Sequence, residues 1–486
     1  MHFSVPDTQE LVDESGSPYM GYNVHINGLF HCTVRYKQLY NLHEQLMKEL
    51  DLSKLELPYF PPKKLFPLTY NQQEERKLAL DRYIQSIGQN TSINNSELLN
   101  GFLLSAQLES AKDSITFVNI DVFLMNGSKI NLEVCTADNS SQVLKKVCHK
   151  INLNEKYCSY FSLFLIYQND ETFIVLRKLQ DFESPFITQK NINKIGTRIV
   201  LGKWYWDIGY DLELLEDPVA RHLLYLQASA EEERGCIPTT EKIKLQLISL
   251  KDSDNEEEYL KIIRSLKYYG YLHFAPCICD YPKPQSKVLV SIGKNELNLR
   301  VITAENNYEE FGFKVTRMRC WRITTLQEGS EKYEDMLDSK LELSFEYLIA
   351  KDKLQWITIT SDQAILLSVC LQSMIDELLL KTVGGIKTQD VAKKTWTYVT
   401  REGHTRNVIG SLTANFFDKN YKENDSNNSP KSEPIIKKLA ERFSIVKVKK
   451  SNSVTTTPMP SPERRYQPPG DSLENNAFGM IGDDDL

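Results

Sequence analysis

The sequence predicts an α+β multidomain chain followed by a long tail that builds no core. Three observations predict it. The chain has 486 residues and is 41% hydrophobic, enough for about two to four separate cores. Alternating strand-like runs give way to helical periodicity more than once along the chain. From Asn415 onward Asn, Ser, Thr, Pro and Lys dominate, a composition that does not bury enough apolar surface to fold alone. The net charge of -7 excludes a general nucleic-acid binder, so any anion site has to be a local basic patch. The nine cysteines form no disulfide framework and read as reduced thiols. Cys277 and Cys279 form a lone C-x-C with no second pair, which does not make a zinc site. The N-terminal stretch is acidic, with no apolar core of a signal peptide. No apolar run approaches the ~20 residues that span a bilayer. These features read as a soluble intracellular protein.

The first segment, residues 1–110, opens on a hairpin. Tyr22, Val24 and Ile26 alternate with polar neighbours, and Asn27-Gly28 supplies the positive φ values of a tight turn. Leu39, Leu42, Leu46 and Leu50 then fall at helical spacing. The stretch LPYFPPKKLF breaks regular structure at Pro61 and Pro62 and carries Lys63 and Lys64 at its tip. Helices are expected over about 72–88 and 96–108, the second capped by Ser96. Three cations therefore stand on three elements: Arg35 at a strand end, Lys63 in the proline loop and Arg76 on a helix. Together they can converge on a polyanionic headgroup, Arg as a bidentate fork and Lys as a point charge. Tyr36, next to Arg35, can pack against a sugar-like ring.

The second segment reads in three parts. Residues 114–205 run strand, strand, helix, strand, with a turn at Asn126-Gly127, a helix carrying Val143, Val147 and Ile151, and then FSLFLIYQ and TRIVLGKWY. That is the opening of a ubiquitin-like fold. Residues 206–275 read as a small helical lobe. Residues 276–382 give short alternating strands, SKVLVSIG, ELNLRVIT, FGFKVTRMRCWRIT, SKLELSFEYL and LQWITITS, closed by a helix with Ile365, Val369, Gln372, Ile375 and Leu379 on one face. Strands closed by a C-terminal helix are the plan of a PH- or phosphotyrosine-binding-like lobe, whose edge strand and helix leave a groove for an extended peptide. Residues 383–486 read as a flexible tail. Within it, EPIIKKLAERFSIVKVKK has an amphipathic pattern that suits anionic lipid, and Ser-Pro or Thr-Pro pairs stand at 429, 457 and 461.

Arg35-Tyr36, FPPKKLF and the helix bearing Arg76 make the first segment resemble a PX domain. The later order of lobes resembles an atypical FERM module with a short helical lobe. With TRMRCWR, LQWITITS, SVCLQSM and the ending IGDDDL, the chain resembles the PX-FERM sorting nexins. The resemblance implies a non-catalytic adaptor, cytoplasmic and peripheral on early endosomes, with no cofactor, no metal and no nucleic-acid partner, acting as a monomer. It implies that Arg35 holds the 3-phosphate of phosphatidylinositol 3-phosphate, Tyr36 stacks on the inositol, Lys63 meets the 1-phosphate and Arg76 binds ring hydroxyls. Val34 departs from the arginine more usual before Arg35, so only Arg35 carries over. Leu65 and Phe66 are candidates for contact with the bilayer interface.

By the same resemblance the third lobe binds N-P-x-Y or N-x-x-Y signals of receptor tails through Trp321, Leu348, Ile375 and Leu379, the last standing where the family often has Met. The ending, with Ile481, Asp483, Asp484, Asp485 and Leu486, implies docking to the retriever complex for recycling. Asn475-Asn476-Ala477-Phe478 has the form N-x-x-F, close to the signal the groove would bind, which makes Asn475 and Phe478 a candidate self-ligand. No nucleophile elbow, phosphate-binding glycine loop, zinc-protease pair or kinase signature occurs, so an enzyme is not expected. A FERM-type link from membrane to cytoskeleton is the alternative; it calls for a long helix and a basic end, and this chain ends in acid.

Overall fold

The computed structural model describes residues 1–49, 58–64, 66–169, 172–192, 194–303, 308–325, 341–351, 353–383, 396–407 and 472–478. Leu50, Leu65, the amphipathic stretch, the Ser-Pro and Thr-Pro pairs, Ile481, Asp483, Asp484, Asp485 and Leu486 lie outside the described residues.

In the first domain β1 (Phe3–Ser4), β2 (Thr8–Val12), β3 (Pro18–Ile26) and β4 (Leu29–Arg35) form one sheet, with β3 between its neighbours. Asn27 and Gly28 adopt the expected positive φ values, 50° and 82°. Helices α1 (Tyr36–Glu49), α2 (Tyr70–Gln89), the short α3 (Thr91–Asn94) and α4 (Glu97–Ala111) cover it. Helix α2 starts two residues before the expected point because Thr69 and Gln72 close a reciprocal cap, and Ser96 caps α4 through the Leu99 N–H. Leu39, Leu42, Leu46, Leu80, Ile84 and Leu103 are buried together, and two residues from elsewhere in the chain, Phe182 and Tyr398, join them.

The next lobe contains β5 (Phe117–Phe123), β6 (Lys129–Cys135), α5 (Ser140–Lys150), β7 (Phe161–Gln168), β8 (Phe173–Lys178), α6 (Pro185–Asn191) and β9 (Thr197–Lys203). Its sheet order is β6-β5-β9-β7-β8, with β5 and β9 parallel at the centre, in line with the ubiquitin-like expectation. Helices α7 (Asp211–Leu214), α8 (Pro218–Glu233), α9 (Glu241–Asp252) and α10 (Glu256–Ile263) form the small helical lobe. Asp211, fully buried, receives the hydroxyls of Tyr205 and Tyr269 and the Arg264 guanidinium, which ties this lobe to the one before it.

The third lobe has β10 (Leu272–His273), β11 (Cys277–Cys279), β12 (Ser286–Gly293), β13 (Glu296–Ile302), β14 (Tyr308–Lys314), β15 (Met318–Thr325), β16 (Leu341–Ala350), β17 (Lys353–Thr360) and α11 (Ala364–Val383). The run FGFKVTRMRCWRIT, expected as one strand, divides. A single 3-10 turn, Val315–Arg317, separates β14 from β15, and the two strands sit far apart in the sheet order β14-β13-β12-β11-β17-β16-β15. Helix α11 packs its Leu367, Leu371, Met374 and Ile375 into the lobe's core.

Two stretches within the tail pair with the body of the protein. They are residues 396–407 and 472–478. Strands β18 (Thr397–Val399) and β19 (Thr405–Asn407) make a hairpin against the first domain, and β20 (Leu473–Glu474) joins the third lobe's sheet beside β15. Each gains by tertiary pairing what its local composition does not supply.

The first domain is docked on the ubiquitin-like lobe. The Gln107 amide donates to Thr188 Oγ1 at 3.0 Å and accepts from the Ser184 N–H at 2.7 Å. Beside it Arg177 and Glu183 form a buried bidentate pair at 2.6 Å. The pair, the Gln180 N–H and the Thr188 hydroxyl satisfy the carboxylate, which is what a buried charge requires.

Candidate binding sites

A cavity of about 330 Å³ opens on the first domain, lined by Tyr19, Tyr22, Arg35, Tyr36, Gln73 and Arg76 among others. Arg35 ends β4, and its guanidinium lies over the Tyr19 ring, 3.8 Å from the centroid. Its Nη1 is 3.8 Å from Asp13 Oδ2 and donates to the Arg401 carbonyl at 2.8 Å. The Asp13 carboxyl is held below its ordinary range, first by the Ser15 hydroxyl and in smaller part by Arg35. Tyr36, the first residue of α1, donates its hydroxyl to the Pro61 carbonyl at 2.7 Å, which anchors the proline loop. Arg76 lies over the Tyr36 ring at 4.4 Å. A stacked arginine keeps its edge donors for an anion while its face is covered.

The structure therefore brings Arg35, Tyr36 and Arg76 to one cavity. Lys63 stands beside it, with Nζ over the Tyr40 ring at 3.6 Å. Phe66 is 82% exposed. Sequence reasoning missed Tyr19, Asp13 and Gln38. Tyr19 carried a signal, an aromatic two residues before Gly21, the register partner of Arg35; Gln38 did not, because its role depends on the tail.

At the third lobe the exposed side of β15 is filled by the chain's own residues 473–478. Leu473 pairs with Trp321 and Glu474 with Cys320, antiparallel. The Asn475 N–H donates to the Arg319 carbonyl at 3.0 Å, and its side-chain amide donates to the carbonyls of Val315 and Met318 at 2.7 and 2.6 Å. Its Oδ1 accepts from the Ala477 N–H at 2.9 Å, and its carbonyl accepts from the Phe478 N–H at 3.1 Å. Asn475 thus combines two donors and a turn-forming acceptor, a set that asparagine supplies and aspartate does not. The acceptors arise from the turn that separates β14 from β15, whose carbonyls face the newcomer in place of a strand.

Trp321 is fully buried, its indole N–H donating to Ser368 Oγ on α11 at 2.9 Å. It secures the strand to the helix from inside, while its backbone faces the tail. Ile375 is buried and Leu379 half-buried in the same apolar cluster that Leu473 and Ala477 join. Leu348 is half-buried, one residue beyond Tyr347, the register partner of Met318. Asn475 is buried and Phe478 half-buried.

Comparison with known proteins follows the same division. Residues 22–106 match the PX domain, 118–206 the sorting nexin 17/27/31 FERM F1 lobe, 207–267 the sorting nexin 17/31 FERM F2 lobe and 270–379 the sorting nexin 17 FERM C-terminal domain. Sorting nexin-17 of Danio rerio is 39% identical over 496 residues, and that of Homo sapiens 40% over 495, each covering 100% of both chains. Sorting nexin-31 of Homo sapiens is 34% identical over 385 residues, covering 78% of this chain and 86% of the relative.

Proposed function

From the premise that the chain belongs to the sorting nexin-17 family, with a PX domain followed by FERM lobes, we propose that it is a non-catalytic endosomal adaptor that reads a lipid with one end and a peptide with the other. Arg35, with Tyr36 and Arg76, binds phosphatidylinositol 3-phosphate, and Lys63 meets the same headgroup from the proline loop. The groove beside β15 takes N-P-x-Y or N-x-x-Y signals of receptor tails. Ile481, Asp483, Asp484, Asp485 and Leu486 engage the retriever complex, which returns the cargo to the cell surface. Asn475 and Phe478 hold the groove closed until cargo displaces them.

The observation that supports this best is the seat of Asn475. Its side chain meets three backbone groups, the carbonyls of Val315 and Met318 and the Ala477 N–H. The leading Asn of an incoming signal can make the same contacts, because they are set by backbone geometry and not by the tail's other side chains. Strand addition at an edge is the matching mode of peptide capture.

The test has two arms. Liposomes containing phosphatidylinositol 3-phosphate bind the full chain, and Arg35→Ala weakens that binding about 10- to 100-fold, the loss expected for a charge-assisted contact; unchanged sedimentation removes the lipid reading. A peptide of residues 470–486 displaces a labelled N-P-x-Y peptide from the chain. Failure to compete removes the groove reading.

A further inference from the structure

The hairpin Thr397–Asn407 follows the FERM lobes in the sequence, yet its contacts are with the first domain. Tyr398 is fully buried there. Its hydroxyl donates to Glu109 Oε2 at 2.5 Å and accepts from Gln38 Nε2 at 2.7 Å. The Arg401 side chain reaches the Thr33 carbonyl at 2.6 Å and Ser110 Oγ at 2.5 Å, and the Arg401 N–H donates to Glu109 Oε1 at 2.8 Å. Gln45 clasps Thr397 from both sides, donating to its carbonyl at 2.7 Å and accepting from its N–H at 3.0 Å. Gly403, at φ +94°, turns the tip so closely over Lys37 that a Cβ would stand 3.0 Å from its Nζ.

Two of these contacts run straight to Arg35. The Arg401 carbonyl accepts from Arg35 Nη1. Gln38, gripped by Tyr398 and by the Val399 carbonyl at 3.1 Å, uses its own Oε1 to accept the Arg35 backbone N–H at 2.8 Å. The arginine is thereby fixed at its backbone and at its guanidinium, its face is covered by Tyr19, and one edge is taken by the hairpin and Asp13. A long cation with many rotamers loses conformational entropy when it binds a phosphate, and fixing it in advance lowers that cost.

We infer that the hairpin 397–407 is a working part of the lipid site: it positions Arg35 for an inositol phosphate through the Arg401 carbonyl and Gln38. The inference rests on the reading of Arg35 as a phosphate ligand. Arg401 and Gln38 are positioning residues and do not touch the lipid. By reciprocity, headgroup binding tightens the hairpin's grip on the first domain.

The experiment uses the full chain with residues 396–407 replaced by a Gly-Ser segment of equal length. A soluble short-chain phosphatidylinositol 3-phosphate is titrated by calorimetry, with an N-P-x-Y peptide titrated separately as a control for folding. The expected result is about tenfold weaker headgroup binding, unchanged peptide binding, and recovery of headgroup affinity when a peptide of residues 396–407 is added. In the native chain the headgroup slows amide exchange at Val399 and Arg401. If the replaced chain does not fold, Arg401→Ala in the full chain, which removes the anchors to Thr33 and Ser110 that seat the Arg401 carbonyl, is expected to weaken headgroup binding in the same direction. An unchanged headgroup dissociation constant, with a lowered Tm, makes the hairpin a staple only and overturns the inference. Arg35→Ala measured alongside separates the failures: if it leaves headgroup binding intact, the lipid reading itself falls; if it alone abolishes binding, only the positioning role falls.

Discussion

Two stretches of one tail return to the body of the protein, and they do opposite things there. Residues 396–407 settle beside the cavity at Arg35 and leave it open, giving Arg35 a carbonyl to lean on. Residues 473–478 settle against the edge of β15 and make the contacts proposed for a peptide ligand. The chemistry differs in kind. At the first site the tail buries specific side chains, Tyr398 and Arg401, in a satisfied polar network. At the second it relies on strand pairing, one asparagine and the apolar contacts of Leu473 and Ala477. A returning segment can thus be a component or a substitute, and the distinction lies in whether the cavity beside it stays empty. Removing a component weakens the ligand; removing a substitute strengthens it.

The harshest way to break this contrast is to remove the floor of the groove. Trp321→Ala deletes a fully buried indole and its bond to Ser368. The loss is about 3–5 kcal/mol of stability in the third lobe, with peptide binding lost more than tenfold, measured by urea denaturation and calorimetry. Tail and cargo then disappear together, and a Trp321→Ala chain that still binds peptide with native affinity refutes the assigned groove.

A milder way acts at the junction that holds the first domain in place. His31 packs edge-on against Phe182 at 5.8 Å, and burial lowers it from 6.5 to about 4. The unfolded chain takes up a proton that the folded chain refuses. Stability is therefore full above pH 6.5 and falls as pH drops toward 4, by up to about 1.4 kcal/mol per pH unit. Burial lowers His2 and His273 to about 4 as well. Denaturation midpoints at pH 7 and pH 5 measure the combined loss, and a His31→Gln chain shows a smaller one; an identical pH loss in that variant removes His31 from the account.

The smallest effect sharpens the contrast most. Asn475→Asp keeps the shape but sets a carboxylate against the carbonyls of Val315 and Met318. The substitute leaves, and the apparent affinity for an N-P-x-Y peptide rises on the order of tenfold, as expected when the competent state becomes fully populated. A weaker or unchanged peptide affinity would mean that the segment does not compete with cargo.

What the sequence made legible was local. The Asn27-Gly28 turn, the Ser96 cap and the α11 face with Ile365 and Ile375 depend on neighbours a few residues away, and each was readable from spacing alone. Strand β8 was missed because FIVLRK is a short run without apolar-polar alternation, a pattern that does not separate strand from helix. The break between β14 and β15 was missed because FGFKVTRMRCWRIT keeps an unbroken strand-like composition through its turn. At the sites, the cations and the N-x-x-F string stood out by residue type. Gln38, Tyr398 and Arg401 did not, since their roles arise from contacts between residues 360 or more apart. Trp321 was expected as a groove contact; its backbone pairs with Leu473 while its side chain is buried beneath, a division that depends on which way the strand faces.

The bond from Arg35 to the Arg401 carbonyl joins residues separated by 366 positions, and that separation is also an interval of time. Synthesis at about 5–20 residues per second places roughly 20–70 seconds between the two residues. The first domain emerges early and brings Tyr19, Asp13 and Gln38 to Arg35 at once, yet the Arg401 carbonyl joins them only after the FERM lobes have been made and the chain has turned back. On the proposed reading of the two sites, the order of translation delays full lipid affinity until the half proposed to read cargo exists.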